Sequence, residues 1–304
     1  MKCKCGKPAV IFRKYEGSAL CRTHFIRSFE KKVRKTISDG GMISRGDRIA
    51  VALSGGKDSS AVLFLMKKLF GKRDDIEITA LSIDEGIAGY RKDSLEIAGK
   101  LCKKLGIGHK ILSFKREFGK SLDEKLKGLK GDSWEGGACT YCGVGRRFLL
   151  NKGARESKAT KLCMGMNLDD EVQSIMMDYL KGDLARLSRM GGTLAKNGKF
   201  VPRIKPLREM PEKEVGLYAI LNGLEVQEDE CPHMEGPRFR VRDFLNEMEA
   251  SGPGTKFSVL RTYQRMLPVL RETAKREKAK MGSCDLCGEP CAGSICKACS
   301  LWKG

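Results

Sequence analysis

A short glycine-rich segment, Ser54–Ser59 of sequence SGGKDS, carries the clearest chemical signal in the chain. It follows the apolar, strand-like run Ile49–Leu53 and precedes a stretch with helical apolar periodicity. A strand–loop–helix unit of this kind can bind phosphate, because its glycines let backbone N–H groups approach an anion and the helix N-terminus adds partial positive charge. Lys57 adds a full charge. The spacing is not that of a Walker A loop. The alternative is a tight strand-to-helix turn with incidental glycines.

Ten of the thirteen cysteines fall into three groups, of which two lie near the chain ends. Cys102 and Cys163 are predicted to be small core residues, and Cys291 a spare thiol. Near the C-terminus, two Cys-x2-Cys pairs predict a tetrahedral zinc site formed by Cys284, Cys287, Cys296 and Cys299. So short a tail needs a metal to fold. The N-terminal set predicts a second zinc site formed by Cys3, Cys5, Cys21 and His24. Its first pair is one residue shorter than usual, so the alternative is a free thiol in a loosely ordered segment.

The third group comprises Cys139, Cys142 and Cys231. Three cysteines leave a tetrahedral metal site one ligand short. They suit a [4Fe–4S] cluster with one iron open to an exogenous ligand, since such clusters are usually held by four thiolates. A third zinc with His233 as the fourth ligand and a redox or persulfide pair are the alternatives. Spacing alone leaves all three open.

Charge and hydropathy restrict the partners. The formal net charge of +20 favours a polyanion, and nucleic acid in particular. No apolar run approaches the roughly 20 residues that span a bilayer, and the N-terminus lacks the apolar core of a signal peptide. We therefore expect a cytoplasmic protein without a membrane partner, whose cysteines are thiols or metal ligands.

The elements that must position these residues alternate along the chain. Strand-like runs are predicted at Ile49–Leu53, Ile76–Ile83, His109–Phe114 and Lys161–Gly165, and helices near Ser59–Phe70, Tyr90–Leu105, Tyr141–Ser157 and Leu168–Lys181. This alternation predicts an α/β fold with a doubly wound parallel sheet, whose ligands bind at the carboxyl ends of the strands.

The flanking segments complete the predicted organisation. A basic helix near Phe25–Ser38 leads into the core, a helix near Glu212–Asn222 closes it, and residues 182–211 are predicted to form an extended loop or hairpin. Two further helices are expected near Arg238–Glu249 and Lys256–Lys280. We divide the chain into an N-terminal zinc finger (1–28), a nucleotide-binding core (29–235), C-terminal basic helices (236–281) and a C-terminal zinc ribbon (282–304).

Taken together, these motifs resemble those of the tRNA 2-thiouridine synthetases. The segment Ser54–Ser59 resembles the PP-loop of the N-type ATP pyrophosphatases, which split ATP between the α and β phosphates. Gly165–Glu171 is similar to a second signature of the TtcA/TtuA family, with Met166 in place of the usual histidine. Gly254–Lys256 and Glu230–Pro232 also match. The resemblance spans nearly the whole chain and is strongest to the archaeal NcsA, eukaryotic Ctu-type branch and to TtuA.

The resemblance implies a reaction and a set of site residues. In this family three cysteines hold a [4Fe–4S] cluster whose free iron carries sulfur, ATP adenylates the uridine C2 oxygen, and sulfur attacks C2 as AMP leaves. The implied catalytic residues are Lys57, Asp170, Cys139, Cys142 and Cys231. The implied ATP-binding residues are Ala52, Ser54, Gly55, Gly56, Lys57, Asp58, Ser59, Ile83, Asp84, Arg146, Gly165 and Asp170.

The residue types are compatible with these roles. Lys57 and the loop amides would stabilise the pyrophosphate leaving group. Asp58 would orient the loop or Mg²⁺, and Asp170 lies at a helix start as a metal-binding or catalytic carboxylate, unless it only complements the helix dipole, a role that also fits Asp169. Asp84 and Glu85 end a strand where adenine or ribose would lie, or form an ordinary turn.

The expected cofactors are ATP, Mg²⁺, a three-cysteine [4Fe–4S] cluster and two Zn²⁺. The expected partners are tRNA, a sulfur donor (sulfide or a ubiquitin-like sulfur carrier) and a second copy of the chain. The wobble uridine is favoured, and a T-loop uridine is second. The alternative hypotheses are a PP-loop ligase that acts on a small molecule and a non-catalytic zinc-ribbon protein that binds RNA.

Overall fold

The computed structural model describes residues 1–129, 137–190, 200–234, 236, 238–275 and 282–303. Within these ranges no helix has both the length and the apolar composition that crossing a bilayer requires. The remaining residues include the end of the predicted helix Lys256–Lys280 and part of the predicted 182–211 loop, which therefore lie outside the described ranges.

The chain begins with a small module and a long helix. Strands β1 (Ile11–Arg13) and β2 (Ser18–Leu20) pair antiparallel around a single 3-10 turn. Helix α1 (Arg22–Asp39) follows directly, and its apolar face, which includes Phe25, Phe29 and Val33, is fully buried. The module is thus joined to the core by a continuous helix.

Five parallel strands form the central sheet, in the order β5-β4-β3-β6-β7. They are β3 (Arg48–Ala52), β4 (Glu77–Asp84), β5 (Gly108–Ser113), β6 (Lys161–Cys163) and β7 (Arg203–Ile204). The doubly wound parallel sheet predicted from the sequence is confirmed. Strand β7 was missed because two residues between prolines give no strand pattern.

The helices of the core are α2 (Lys57–Phe70), α3 (Arg91–Leu105), α4 (Phe114–Phe118), α5 (Leu122–Lys127), α6 (Ala138–Glu156), α7 (Leu168–Leu180), α8 (Leu184–Met190) and α9 (Glu212–Leu221). The short helices α4, α5 and α8 were not predicted, so the 182–211 segment is not simply a loop. Helix α6 begins at Ala138, earlier than predicted, and therefore includes two cysteines of the central group.

Side chains of β3 alternate between two apolar cores, as expected for a sheet covered on both faces. Ile49 and Val51, together with Leu53 directly after the strand, pack with α1, α2, α3 and α9 on one face. Ala50 packs with α4, α5 and α6 on the other. Apolar residues thus cover both faces of the central strand β3. A ligand can therefore approach the sheet at the carboxyl ends of its strands.

Two further units follow the core. Helices α10 (Arg238–Ser251) and α11 (Thr255–Lys275) pack on α7 and α8 through a third apolar cluster. The C-terminal ribbon consists of β8 (Gly282–Ser283), β9 (Pro290–Cys291) and α12 (Lys297–Trp302), and α12 packs against α6.

Candidate active site

The glycine-rich loop joins β3 to α2 in a backbone conformation that requires glycine. Gly55 has a φ of +89°, and a Cβ there would lie 2.3 Å from the carbonyl oxygen of Ser94. The loop is braced from within, because Ser59 Oγ donates to Gly56 O at 3.0 Å and accepts from Ser54 N at 3.1 Å. No side chain caps α2 at Gly56. The first N–H groups of this helix are therefore available to an anion.

A cavity of about 310 Å³ lies beside this loop at the carboxyl ends of β3, β4 and β6. Eight of the residues expected to bind ATP line it: Ala52, Ser54, Asp58, Ser59, Ile83, Arg146, Gly165 and Asp170. Its wall is completed by Leu53, Leu81, Glu85, Arg91, Leu150, Met164 and Met166. Gly55, Gly56, Lys57 and Asp84 are not among its lining residues.

Gly165 fixes the distance between two walls of the cavity. A Cβ at this position would lie 2.8 Å from the carbonyl oxygen of Asp58 and 2.9 Å from the backbone nitrogen of Ser59. The loop after β6 thus packs directly on the first turn of α2. Any larger residue would push the second signature away from the phosphate-binding loop.

Lys57 lies between two carboxylates. Its Nζ is 2.7 Å from Glu212 Oε1 and 3.2 Å from Asp58 Oδ2. Burial by itself lowers the pKa of Lys57, but the charge of Asp58 and the hydrogen bond to Glu212 raise it above the ordinary lysine value. Lys57 is therefore a cation at neutral pH. Its partner Glu212 begins α9, far along the chain, and no local pattern in the sequence pointed to it.

Asp58 and Asp170 are linked through Asn167. Asn167 Nδ2 donates to Asp58 Oδ1 at 3.1 Å, and Asn167 forms a reciprocal capping box with Asp170 at the start of α7. Burial, with the nearby charge of Asp58, raises the pKa of Asp170 to about 6 although Arg238 opposes it. Burial also raises the pKa of Asp58. A bound cation would favour the ionised form of both carboxyl groups. Mg²⁺ is commonly bound by one or two carboxylates together with substrate phosphates.

The neighbouring acid, Asp169, has a different role. It is buried, forms an ion pair with Lys256, and accepts a hydrogen bond from the backbone of Glu212 at 2.8 Å. Asp169 therefore ties α7 to α9 and α11. The Gly254–Lys256 motif contributes Lys256 to this tie, whereas Asp170 remains at the cavity.

Two arginines meet at Glu85 on the opposite wall. The fully buried Glu85 carboxylate is 2.7 Å from Arg91 Nε and also forms an ion pair with Arg146. Arg91 donates to the backbone oxygens of Ile83 at 2.6 Å and Ser54 at 2.9 Å, so it joins the end of β4 to the phosphate-binding loop. The Asp84 carboxylate instead accepts from Gly86 N at 2.9 Å and stabilises a turn.

The central cysteines meet at the start of α6. Cys139 Sγ donates to the carbonyl oxygen of His233 at 3.6 Å, which brings the Cys231 loop to the helix. Burial raises the pKa of the Cys142 thiol to about 12, with Arg146 opposing and Cys231 and Cys139 adding to the rise. The His233 ring is engaged by Asp123 at 2.7 Å. This contact occupies Nε2 alone, so the three thiols and His233 Nδ1 are the donors that could bind metal.

These three cysteines differ from the two terminal sets. In the described ranges only the terminal sets bring three or more ligand atoms within 4.8 Å of one another. A single zinc needs its ligands that close. A cluster binds each thiolate to a different iron, so its sulfur atoms lie further apart, and an all-thiolate donor set suits it. The trio therefore fits a cluster better than a third zinc.

The terminal sets have the geometry of single-metal sites. At the N-terminus, Cys3 Sγ is 3.2 Å from His24 Nδ1 and Cys5 Sγ is 3.7 Å from Cys21 Sγ, so the short first spacing does not prevent the four groups from converging. In the ribbon, the four atoms of Cys284, Cys287, Cys296 and Cys299 converge likewise. Cys291 donates to Gly293 O at 2.8 Å and is not in this set.

Comparison with known proteins places this geometry in a family. A family model described as PP-loop domain matches residues 24–248, and one described as 2-thiouridine synthetase TtuA, N-terminal LIM domain, matches residues 2–26. The chain is 38% identical to the tRNA 2-thiolation protein NcsA of Haloferax volcanii, over 99% of this chain and 98% of that protein. The chain belongs to the PP-loop tRNA 2-thiouridine synthetases.

Other members are similar over the same length. The tRNA-5-methyluridine(54) 2-sulfurtransferase of Pyrococcus horikoshii is 36% identical over 99% of this chain and 94% of that protein. The solved structure of the U34-tRNA thiolase NcsA from Methanococcus maripaludis with its [4Fe-4S] cluster has a TM-score of 0.84 and 37% identity, and covers 100% of this chain and 96% of that chain. The first of these names specifies uridine 54 and the second uridine 34, although the chain is almost equally identical to both proteins.

Sequence reasoning missed several residues of this PP-loop site. Glu212, Asn167 and Arg238 act through contacts between distant segments. Arg91 did carry a signal, since an arginine in the first turn of a helix opposes the helix dipole and so points to another role. Met166, which replaces the usual family histidine, lies in the cavity wall.

Proposed function

We propose that the protein thiolates a tRNA uridine at C2, using ATP and an iron–sulfur cluster held by Cys139, Cys142 and Cys231. The observation that carries this proposal is the placement of α6. Arg146 lines the cavity beside the phosphate-binding loop, and Cys142 precedes it by one helical turn. The groups that activate a carbonyl and the groups that hold sulfur are thereby adjacent, as replacement of a carbonyl oxygen requires.

In the first step the uridine O2 attacks the α-phosphorus of ATP, the bond from that phosphorus to the bridging oxygen breaks, and pyrophosphate leaves. Lys57, kept protonated by Asp58 and Glu212, stabilises the departing charge together with the N–H groups at the start of α2. Asp58 and Asp170 are the proposed Mg²⁺ ligands. Arg146, held by Glu85, faces the nucleotide from the opposite wall.

In the second step a sulfide sulfur bonds to C2 and the bond from C2 to the AMP oxygen breaks. AMP carries away the original oxygen, and sulfur enters at the oxidation level of sulfide, so no oxidant or reductant is consumed. When bound, a cluster with three protein thiolates leaves one iron open to hold sulfide. The chain orients the thiols through α6 and through the His233–Asp123 contact on the Cys231 loop.

Charge supports the choice of partner. The net charge of +20 matches the polyphosphate backbone of tRNA, and we expect affinity to fall steeply with salt. We favour the wobble uridine, with the T-loop uridine second, and sulfide or a ubiquitin-like carrier as sulfur donor. We also propose zinc in both terminal sets, a homodimer, and a cytoplasmic location.

The test uses anaerobically reconstituted protein with tRNA, ATP, Mg²⁺ and sulfide. We expect visible cluster absorbance, pyrophosphate release that depends on tRNA, and 2-thiouridine at one mapped position. Cys142→Ala is expected to abolish thiolation, whereas Cys102→Ala, a buried thiol on α3, serves as the matched control. Apo-protein that thiolates as well as the reconstituted form would refute the cluster mechanism, and turnover on a small molecule without tRNA would favour a ligase.

A further inference from the structure

Helix α6 presents different residues to two parts of the molecule. Arg146 and Leu150 line the nucleotide cavity, and Cys142 lies one turn before Arg146 on that face. A second stripe points to the C-terminal ribbon and comprises Tyr141, Val144, Phe148, Asn151 and Arg155. These five residues are spaced by three or four, so they share one side of the helix.

The contact nearest the cysteines involves Trp302. Its indole Nε1 donates to the carbonyl oxygen of Tyr141 at 3.3 Å, within the turn that separates Cys139 from Cys142. Trp302 is buried, stacks on Phe118 with ring centroids 4.7 Å apart, and meets Phe114 edge-on at the same separation. The tryptophan is thus fixed by the core while it holds the first turn of α6.

The stripe continues along the helix. Val144 and Phe148 pack on the buried cysteine cluster of the ribbon. The buried Glu289 forms an ion pair with Arg155 and accepts from Asn151 Nδ2 at 3.3 Å. The ribbon therefore contacts α6 over about four turns, and its zinc-type cysteines form part of the packed surface.

We propose that the C-terminal ribbon, folded by its metal, positions the two cysteines of α6 for the cluster, and that Trp302 is the positioning residue. This inference rests on the proposed function for its cluster half only. The ribbon is too short to have an apolar core of its own. Loss of its metal would therefore unfold it. Helix ends fray when their contacts are lost. Cys139 lies in the first turn of α6 and Cys142 directly follows that turn.

The test compares Trp302→Phe, which keeps an aromatic ring of smaller size but loses the N–H donor, and Trp302→Ala, which loses both. Leu286→Ala is the control, because Leu286 lies in the ribbon but is 56% exposed. In the full-length protein without its cluster but with zinc in the ribbon, we expect hydrogen exchange of residues 138–145 to accelerate several-fold in Trp302→Ala and less in Trp302→Phe. Exchange of α2 should stay as in the wild type, and zinc content should be retained in Trp302→Phe.

The same variants are then reconstituted with iron and sulfide. We expect cluster absorbance to decay several-fold faster under a chelator in both Trp302 variants, with unchanged decay in Leu286→Ala. Unchanged exchange at 138–145 in both Trp302 variants would overturn the inference, as would equal cluster lifetimes in wild type and variants. A wild-type protein that acquires no cluster, while exchange at 138–145 still responds to Trp302, would refute the proposed function and leave the positioning role supported.

Discussion

The N-terminal module and the C-terminal ribbon attach to the core through different interactions. The N-terminal module is held by a buried charge cluster, in which Arg13 binds Glu214 of α9 through two hydrogen bonds of 3.0 and 2.7 Å. Tyr15 donates to the same carboxylate. In the C-terminal ribbon, the cysteine cluster packs on Val144 and Phe148 of α6 and Trp302 stacks on Phe118 of α4, so apolar and aromatic packing makes most of the contact. One ion pair, between Glu289 and Arg155 of α6, adds to it. Each module thus stabilises a helix that carries part of the candidate site.

Each module packs on a helix that contributes residues to the candidate site. Helix α9 begins with Glu212, which forms an ion pair with Lys57 at the start of α2. Helix α6 carries Cys139 and Cys142 and also places Arg146 in the cavity wall. A bidentate buried ion pair is sensitive to removal of either partner, because the other charge is left without compensation. Apolar packing tolerates changes that preserve volume. The two attachments should therefore fail in different ways.

The largest effect is expected from the charged attachment. Arg13→Met should lower the free energy of unfolding by about 3–5 kcal/mol, because it leaves Glu214 buried without its cation. Arg13→Lys should also destabilise strongly, since a lysine cannot form the bidentate pair. Urea denaturation measures both. The double variant Arg13→Met, Glu214→Leu should recover much of the loss, and a double variant less stable than Arg13→Met would contradict this account.

The apolar attachment should respond in a graded manner. Phe148 is half-buried between the ribbon and Phe118, with ring centroids 5.5 Å apart. We expect Phe148→Ala to cost about 2 kcal/mol, below the range for fully buried aromatics, and Phe148→Leu to cost less than about 1.5 kcal/mol. Denaturation again gives the values. Equal losses in both variants would mean that ring geometry, not apolar volume, holds the ribbon.

A smaller effect is expected on ATP affinity when Glu212, the partner of Lys57, is changed. Glu212→Gln should tighten ATP binding roughly tenfold, about 1.4 kcal/mol, because it removes a negative charge near the phosphates and a competitor for Lys57. Calorimetry at fixed Mg²⁺ measures this affinity. Glu225→Gln, which alters a surface pair with Lys100, is the control. Weaker ATP binding in Glu212→Gln would show instead that Glu212 positions Lys57 for the nucleotide.

The smallest expected effect is a pH dependence of nucleotide binding and of folding stability that arises from Asp170. The pKa of Asp170 is raised from 3.8 to about 6, so Mg²⁺-dependent nucleotide binding should weaken as pH falls from 7 to 5. Folding stability should change in the opposite sense, because a raised carboxyl pKa favours the protonated native state and that contribution is lost as pH rises through about 6. Asp170→Asn should flatten both profiles. Asp243→Asn, at an exposed acid, should leave them unchanged.

Local sequence patterns predicted the features that are formed by residues close together in the chain. The loop at Ser54–Ser59, the core strands β3, β4, β5 and β6 and the two terminal ligand sets are each encoded within short segments. The pair of Lys57 with Glu212 was not predictable, because it joins residues that are 155 positions apart. Strand β7 was missed for a different reason: it has two residues and is specified by pairing with β6 rather than by its own sequence.

By itself the sequence determined the chemical inventory: a phosphate-binding loop, an acidic helix start, three central thiols and two metal-ligand sets, since each of these is set by residue type and spacing. Only the tertiary structure decided how the inventory is arranged. It separated Asp169, buried with Lys256, from Asp170 at the cavity, and it attached the two terminal modules to different helices of the candidate site. Those outcomes depend on packing between distant segments, and no local pattern specifies which distant partner a helix face will meet.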